Sequence, residues 1–239
     1  MRGRFRRRPY PKQKQRRRRF AQSKTEALAT RQKLSVPRGI FGFPDELITT
    51  LRYVDVYTLT SSSNGIAKQY MRMNSIFDPD QTGTGHQPYW FDQLAALYNR
   101  YSVLGSKLTA EFSLLPSAIA TAQPSGPAVI GVIGDDSAST GTTVSTLLES
   151  NSCKHTLLGS QNGGPNIKKL TLTYSPSREL GLSPDDDTVG ALVTTNPSNQ
   201  WYGLVWMAET GLSIATSASV KVQMEYCVKF SQQKDVSGS

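Results

Sequence analysis

The chain has 239 residues, with 27 Lys+Arg against 18 Asp+Glu, a formal net charge of +9 and 37% hydrophobic residues. That length suits one ordinary domain carrying a tail, and that apolar share builds a core without metals or disulfides. Two cysteines, Cys153 and Cys227, exclude a disulfide-rich scaffold and an all-cysteine metal site, and no run approaches the roughly 18 apolar residues of a membrane-spanning helix.

The charge is uneven along the chain. Residues 1–40 hold 15 basic residues and one acid, Glu26, a net +14; the other 199 residues hold 12 basic and 17 acidic residues, a net −5. A cationic tail on a mildly acidic body points to an interaction arm rather than to a uniformly basic fold. Its densest part, residues 1–20, carries Arg2, Arg4, Arg6, Arg7, Arg8, Lys12, Lys14, Arg16, Arg17, Arg18 and Arg19 with no acid. Like charges repel, Pro9 and Pro11 interrupt helix, and only Phe5, Tyr10 and Phe20 offer apolar surface, so the segment is expected to stay disordered until it meets a polyanion.

No apolar stretch follows the arginines as a secretory leader requires, and the two prolines argue against the amphipathic helix of a mitochondrial presequence. Lys12, Lys14, Arg16, Arg17, Arg18 and Arg19 fit a nuclear localisation signal, and the same residues fit phosphate neutralisation on nucleic acid. The guanidinium fork bridges phosphate oxygens, and interleaved aromatics stack on unpaired bases. Residues 21–46 form a transition: AQSKTEALATRQK suits a short helix, and Pro37, Gly39, Gly42 and Pro44 mark an extended linker. The division expected is therefore an arm and linker over 1–46 and a folded body over 47–239.

Eight β-patterned runs make up that body, at about 47–60, 66–74, 101–115, 127–134, 153–159, 167–175, 200–209 and 218–231. The fourth, PAVIGVIG, reads as a strand buried on both faces; the eighth alternates strictly from Val220 to Ser231. One helix is expected at 90–99 and a shorter one at 143–150. The connections alternate short, long, short, long, short, long, short, which places every short turn at one end of a tapered barrel. An immunoglobulin-type sandwich is the alternative, but it has seven strands and lacks this alternation. The fold class expected is all-β: an eight-stranded single jelly roll of two four-stranded antiparallel sheets. The first, eighth, third and sixth strands would form one sheet and the second, seventh, fourth and fifth the other. Alternation then turns Leu104, Leu108, Phe112 and Leu114 inward on the third strand, and leaves Lys107, Lys169, Lys221 and Lys229 on the outer face of the first sheet, beside Glu111 and Glu225.

Catalytic groups are sparse. His86 and His155 sit in no metal-ligand spacing, and no Walker A, GxGxxG or GxSxG occurs. Cys153 and His155, two apart on one expected strand, share a face but lack an oxyanion-hole motif. Asp78/Asp80 and Asp185–Asp187 match no known ion-binding loop. No catalytic residue, metal site or cofactor is expected; the chain reads as a non-enzyme.

The residues carry a resemblance at several stretches: Phe43-Pro44-Asp45 leading into Leu51-Arg52-Tyr53, then Phe77-Asp78-Pro79-Asp80, Thr82-Gly83-Thr84-Gly85-His86-Gln87-Pro88, Phe91-Asp92-Gln93, the run from Tyr98 to Ser106, and Lys168-Lys169-Leu170. With the basic arm, these resemble the capsid proteins of small circular, Rep-encoding single-stranded DNA (CRESS-DNA) viruses, circovirus-like in the broad sense. The resemblance implies a virion protein that self-assembles into an icosahedral shell of about 60 copies. It would package circular single-stranded DNA, face its first sheet inward, and meet host import machinery in the nucleus and a cell receptor. On physics alone, an RNA-virus capsid or a cellular nuclear nucleic-acid-binding β-sandwich protein stays open, because an arginine arm reads phosphate and not sugar.

Overall fold

The computed structural model describes residues 43–61, 65–115, 127–139, 141–159, 167–210 and 216–235. In chain order the strands are β1 (Leu47–Ser61), β2 (Ile66–Arg72), β3 (Tyr98–Leu114), β4 (Ala128–Asp135), β5 (Lys154–Leu158), β6 (Ile167–Tyr174), β7 (Gly190–Leu192), β8 (Tyr202–Glu209) and β9 (Thr216–Gln233). Three short helices interrupt them: α1 (Phe91–Ala95), α2 (Val144–Glu149) and α3 (Pro176–Glu179).

The strands form two antiparallel sheets, one in the order β1-β9-β3-β6 and one in the order β2-β8-β4-β5. These are the eight strands of the jelly roll expected from loop lengths, in the two sheets anticipated, with the short β7 added to the first sheet beside β3. The four short turns themselves, at 62–64, 116–126, 160–166 and 211–215, lie outside the described residues. The strand ends that flank them nevertheless fall together. Ser61 pairs Thr216, Leu114 pairs Ala218 and Ser113 pairs Ile167 in one sheet. In the other, Ile66 pairs Ala208, and Ala128 pairs both Glu209 and Leu158.

Alternation explains the core. On β9, Val220, Val222, Met224, Tyr226, Val228 and Phe230 are fully buried, and the residues between them face away. They pack with Tyr53, Tyr101, Val103, Leu108 and Phe112 against Met71, Ile130, Val132, Val205 and Met207 of the opposite sheet. A second, smaller cluster of Ile133, Leu147, Leu204, Trp206 and Ala208 lies beneath α2. The helix thus covers the far side of β4 and β8, and β4 is buried on both faces as its unbroken apolar run requires.

Four readings need correction. Leu104 does not join the core: the β3/β9 register shifts between Val103 and Gly105, so Tyr101 and Val103 point inward upstream while Ser106, Leu108, Ala110, Phe112 and Leu114 do so downstream. An extra residue in one strand changes the parity that alternation assumes. The helix expected at 90–99 is only Phe91–Ala95, because Tyr98 onward pairs with β9. The expected fifth strand starts one residue later, leaving Cys153 outside it. The connection expected over 176–199 holds α3 and β7, and β7 pairs Arg100–Ser102 of β3.

Candidate nucleic-acid interface

The face of the first sheet turned away from the core is built by β9, which lies between β1 and β3. Because its even-numbered residues are buried, Lys221, Gln223, Glu225, Cys227 and Lys229 are directed outward. Register then sets their neighbours. Glu111 of β3 lies directly across from Lys221 on one side and Lys169 of β6 on the other. Its two carboxylate oxygens are divided between them, Oε2 at 2.6 Å from Lys221 Nζ and Oε1 at 3.3 Å from Lys169 Nζ. The two lysine hydrogen bonds, Lys221 first, hold the Glu111 carboxyl below the usual carboxylate range.

Lys107 lies across from Glu225 of β9 and Thr173 of β6. Glu225 is already engaged: Arg52 Nη2 of β1 donates to its Oε1 at 3.1 Å, and Gln223 Nε2 donates to the same atom at 3.0 Å. Lys229, at the opposite end of β9, pairs with Asp185, and with Glu46 at 3.6 Å. Its ammonium is held above the ordinary lysine range, chiefly by the hydrogen bond to Asp185.

All four lysines expected on this face are therefore on it, together with Arg52, which the site reading left out. The alternation Leu51-Arg52-Tyr53, with Leu51 and Tyr53 buried, is the signal that places Arg52 there. Lys168 separates from Lys169: it lies across from Phe112, a core position. The face is better balanced than a cationic wall. Lys169, Lys221, Lys229 and Arg52 each have a carboxylate partner, whereas Lys107 makes no ion pair among the described residues. Such exposed pairs contribute about 0–1 kcal/mol each, so they order the face more than they stabilise the fold. The basic residues of the arm, 2–19, lie outside the described residues.

The long β2–β3 connection carries the TGTGHQP block and is tied back to β1. The His86 ring stacks on Tyr53 with centroids 4.5 Å apart, and its nitrogens lie 2.8 Å from the Gln87 carbonyl and 3.1 Å from the Val54 carbonyl. Gly85 is needed beneath it, since a Cβ there would stand 2.8 Å from the Tyr53 hydroxyl and 2.9 Å from the Asp80 Cβ.

The remaining chemical candidates have structural partners. Cys153 packs beside Trp206, and burial pushes its thiol upward, opposite to the shift that makes a nucleophilic thiolate. His155 is exposed on β5, across from Gly131 of β4. Asp78 is paired with Arg72 at 2.7 Å, Asp185 with Lys229 and Asp187 with Arg100 at 2.8 Å, while Asp186 accepts from Thr188. Among the described residues no group of three or more His, Cys, Asp or Glu side chains is arranged to hold a metal, and no helix is long and apolar enough to cross a membrane.

No protein-family model matches the chain, and no curated protein matches it. Several solved structures are similar to it. Desmodium yellow mottle tymovirus is 15% identical, with 87% of this chain and 99% of that chain covered and a TM-score of 0.41. The 60-mer BFDV capsid protein is 11% identical, with 82% and 100% covered and a TM-score of 0.44. The semi-empty virus-like particle of the giant freshwater prawn Macrobrachium rosenbergii nodavirus is 12% identical, with 81% and 97% covered and a TM-score of 0.40.

Proposed function

We propose that this protein is a viral capsid protein that assembles with copies of itself into a small icosahedral shell and packages nucleic acid through its basic arm. The observation that carries the reading is one conjunction: a +14 segment over residues 1–40 joined to a net −5 body that folds as a single jelly roll. A fold alone does not assign a function. Here the charge separation supplies the chemistry, since fourteen net positive charges on one segment are a match for phosphates and for little else. Residues 1–46 serve as arm and linker, and Lys107, Lys169, Lys221 and Lys229 lie on the sheet face that meets the packaged strand. Single-stranded DNA is the cargo favoured by the resemblance of the Phe77–Pro88 and Tyr98–Ser106 stretches to circular single-stranded DNA virus capsids. Lys12, Lys14 and Arg16–Arg19 serve as the nuclear import signal.

Expression of the full chain followed by electron microscopy tests the assembly. Closed particles are expected, and a chain that stays monomeric at every salt concentration sinks the proposal. The cargo is tested by extracting protected nucleic acid and digesting it with DNase or RNase; material resistant to DNase and cut by RNase replaces DNA with RNA. The import signal is tested by fusing residues 1–20 to a fluorescent protein, with nuclear accumulation expected and lost when Arg16–Arg19 become Gln.

A further inference from the structure

The barrel has two flanks, one where β1 and β2 end their sheets and one where β5 and β6 do. The β2–β3 connection lies against the first flank: His86 Nε2 is 3.1 Å from the Val54 carbonyl of β1, and Asp80 forms a bridge with Met71 of β2. Just beyond His86, Tyr89 and Trp90 stand 78% and 60% exposed, their rings edge to face with centroids 5.5 Å apart. Trp90 holds φ at 75°, a backbone conformation rare for a side chain of its size. Pro88 and Phe91, both buried, flank the pair, so the exposed rings stand on an anchored turn.

The second flank holds a cleft of about 260 Å³ at the same end of the barrel, where the long connections gather. Lys154 opens β5, Thr173 nears the end of β6 and Arg178 belongs to α3; with Leu172 and Trp201 they line the cleft. Lys154 Nζ donates to the Thr171 carbonyl at 2.8 Å and Arg178 Nη2 to the Thr173 carbonyl at 2.7 Å, which holds both cations against β6. Edge carbonyls of β1 and β6 are thus occupied by side chains, which disfavours joining two copies by strand pairing there. The flanks are also opposite in charge. Residues 73–97 carry Asp78, Asp80 and Asp92 with no Lys or Arg, a net −3; residues 153–179 carry Lys154, Lys168, Lys169 and Arg178 against Glu179, a net +3. Arg72 offsets one of those acids and Glu111 one of those lysines, which leaves −2 on one flank and +2 on the other.

We propose that the two flanks are the halves of one contact between copies of this chain, Tyr89 and Trp90 of one copy packing into the β5–β6 cleft of the next. This rests on the assembly reading and gives it a surface. An indole face suits a lining that holds Lys154 and Arg178, because the ring quadrupole attracts cations, while Leu172 and Trp201 supply apolar contact. The two exposed aromatics bring about 300 Å² of the roughly 800 Å² that a stable contact takes from each partner. Since the halves differ, the contact runs head to tail: each copy offers its aromatic pair to one neighbour and its cleft to another.

The test follows assembly of the full chain by light scattering and electron microscopy, with acrylamide quenching of tryptophan fluorescence. Trp206 is fully buried and Trp201 partly so. The readily quenched emission of dispersed chains is therefore expected to come from Trp90, checked by its absence in Trp90→Phe, and closed particles should lose it. Tyr89→Ala/Trp90→Ala, shown to be folded by circular dichroism, is expected to raise the concentration needed for closed particles at least about tenfold. Ser152→Trp fills the cleft from an exposed position in its lining and should do the same. Combined, the substitutions should be no worse than the weaker assembler of the two, because they break one contact. Closed particles in which Trp90 stays as quenchable as in dispersed chains overturn the contact, and so does wild-type assembly by either variant. Protection of Trp90 by oligo(dT) in dispersed chains, with assembly indifferent to its loss, overturns it in favour of base stacking. A wild-type chain that forms no closed particle at any concentration or salt removes the assembly reading itself.

Discussion

Arg72 organises the long connection between β2 and β3. Its guanidinium donates to the Asp78 carboxylate at 2.7 Å, to the Asp78 and Asp80 carbonyls at 3.0 Å each, and to Gln200 Oε1 at 2.8 Å, while its own carbonyl accepts from Tyr226 at 2.8 Å. The side chain is 12% exposed. Arg72→Met would keep most of the packing volume and strand these acceptors, and is expected to cost about 2–4 kcal/mol, read from urea unfolding. Nearby, Asp80 accepts from Tyr57, Gln69 and the Thr82 amide, and burial drives the Tyr53 and Tyr57 hydroxyls upward so that both stay protonated donors. Glu111 sets an acid-side dependence. Its folded-state pKa is depressed, so its contribution is present above the ordinary carboxylate pKa and is lost as pH falls through the lower folded value. Lys229 runs the other way: its pKa is raised, and its contribution is lost only in alkali, above the ordinary lysine value. Unfolding midpoints should therefore be flat in these two groups from about pH 5 to 10, and Glu111→Gln should make the decline below that range shallower.

Among the elements, the strands were legible where one face is core and the other solvent, as on β9. Burial fixes that alternation residue by residue, and the pairing order followed from which connections were short. What stayed hidden was set by partners distant in sequence. β7 is three residues long and is a strand because Arg100–Ser102 lie beside it, and Tyr98 leaves its helical pattern for a ladder with β9. The lysines of the outer face were readable from period two. The neutralisation of Lys229 by Glu46 and Asp185 is not, since those acids arrive from the segment before β1 and from the β6–β7 connection. Arg52 is legible in the same way as the lysines, between the buried Leu51 and Tyr53. The pairing of α2 with the far side of the second sheet yields a sharp test at Gly131. A Cβ there would stand 2.5 Å from the buried Trp206 indole. Gly131→Ala is expected to destabilise by about 1–3 kcal/mol, seen as a lower melting temperature, because neither β4 nor the ring has room to move.

At the scale of the whole molecule, the separation of charge makes salt the main experimental variable. Replacing all eleven basic residues of positions 1–20 by Gln should flatten the salt dependence of oligo(dT) binding by up to about 8 in slope, measured by fluorescence anisotropy titration. The body contributes far less, because Arg52, Lys169, Lys221 and Lys229 of its outer face each have a carboxylate partner. The sheet that carries them depends on β3, which pairs β9 along one edge and shares the other between β6 and β7. The shift at Leu104 gives that strand one spare residue. With Leu104 deleted, Val103 and Gly105 become neighbours, Tyr101, Val103, Ser106 and Leu108 alternate without interruption, and the ladder to β9 becomes regular from end to end. Deleting Thr109 instead would turn half the strand inside out. A chain that tolerates the first loss and not the second is a chain whose length, at this one position of its central strand, is free to vary.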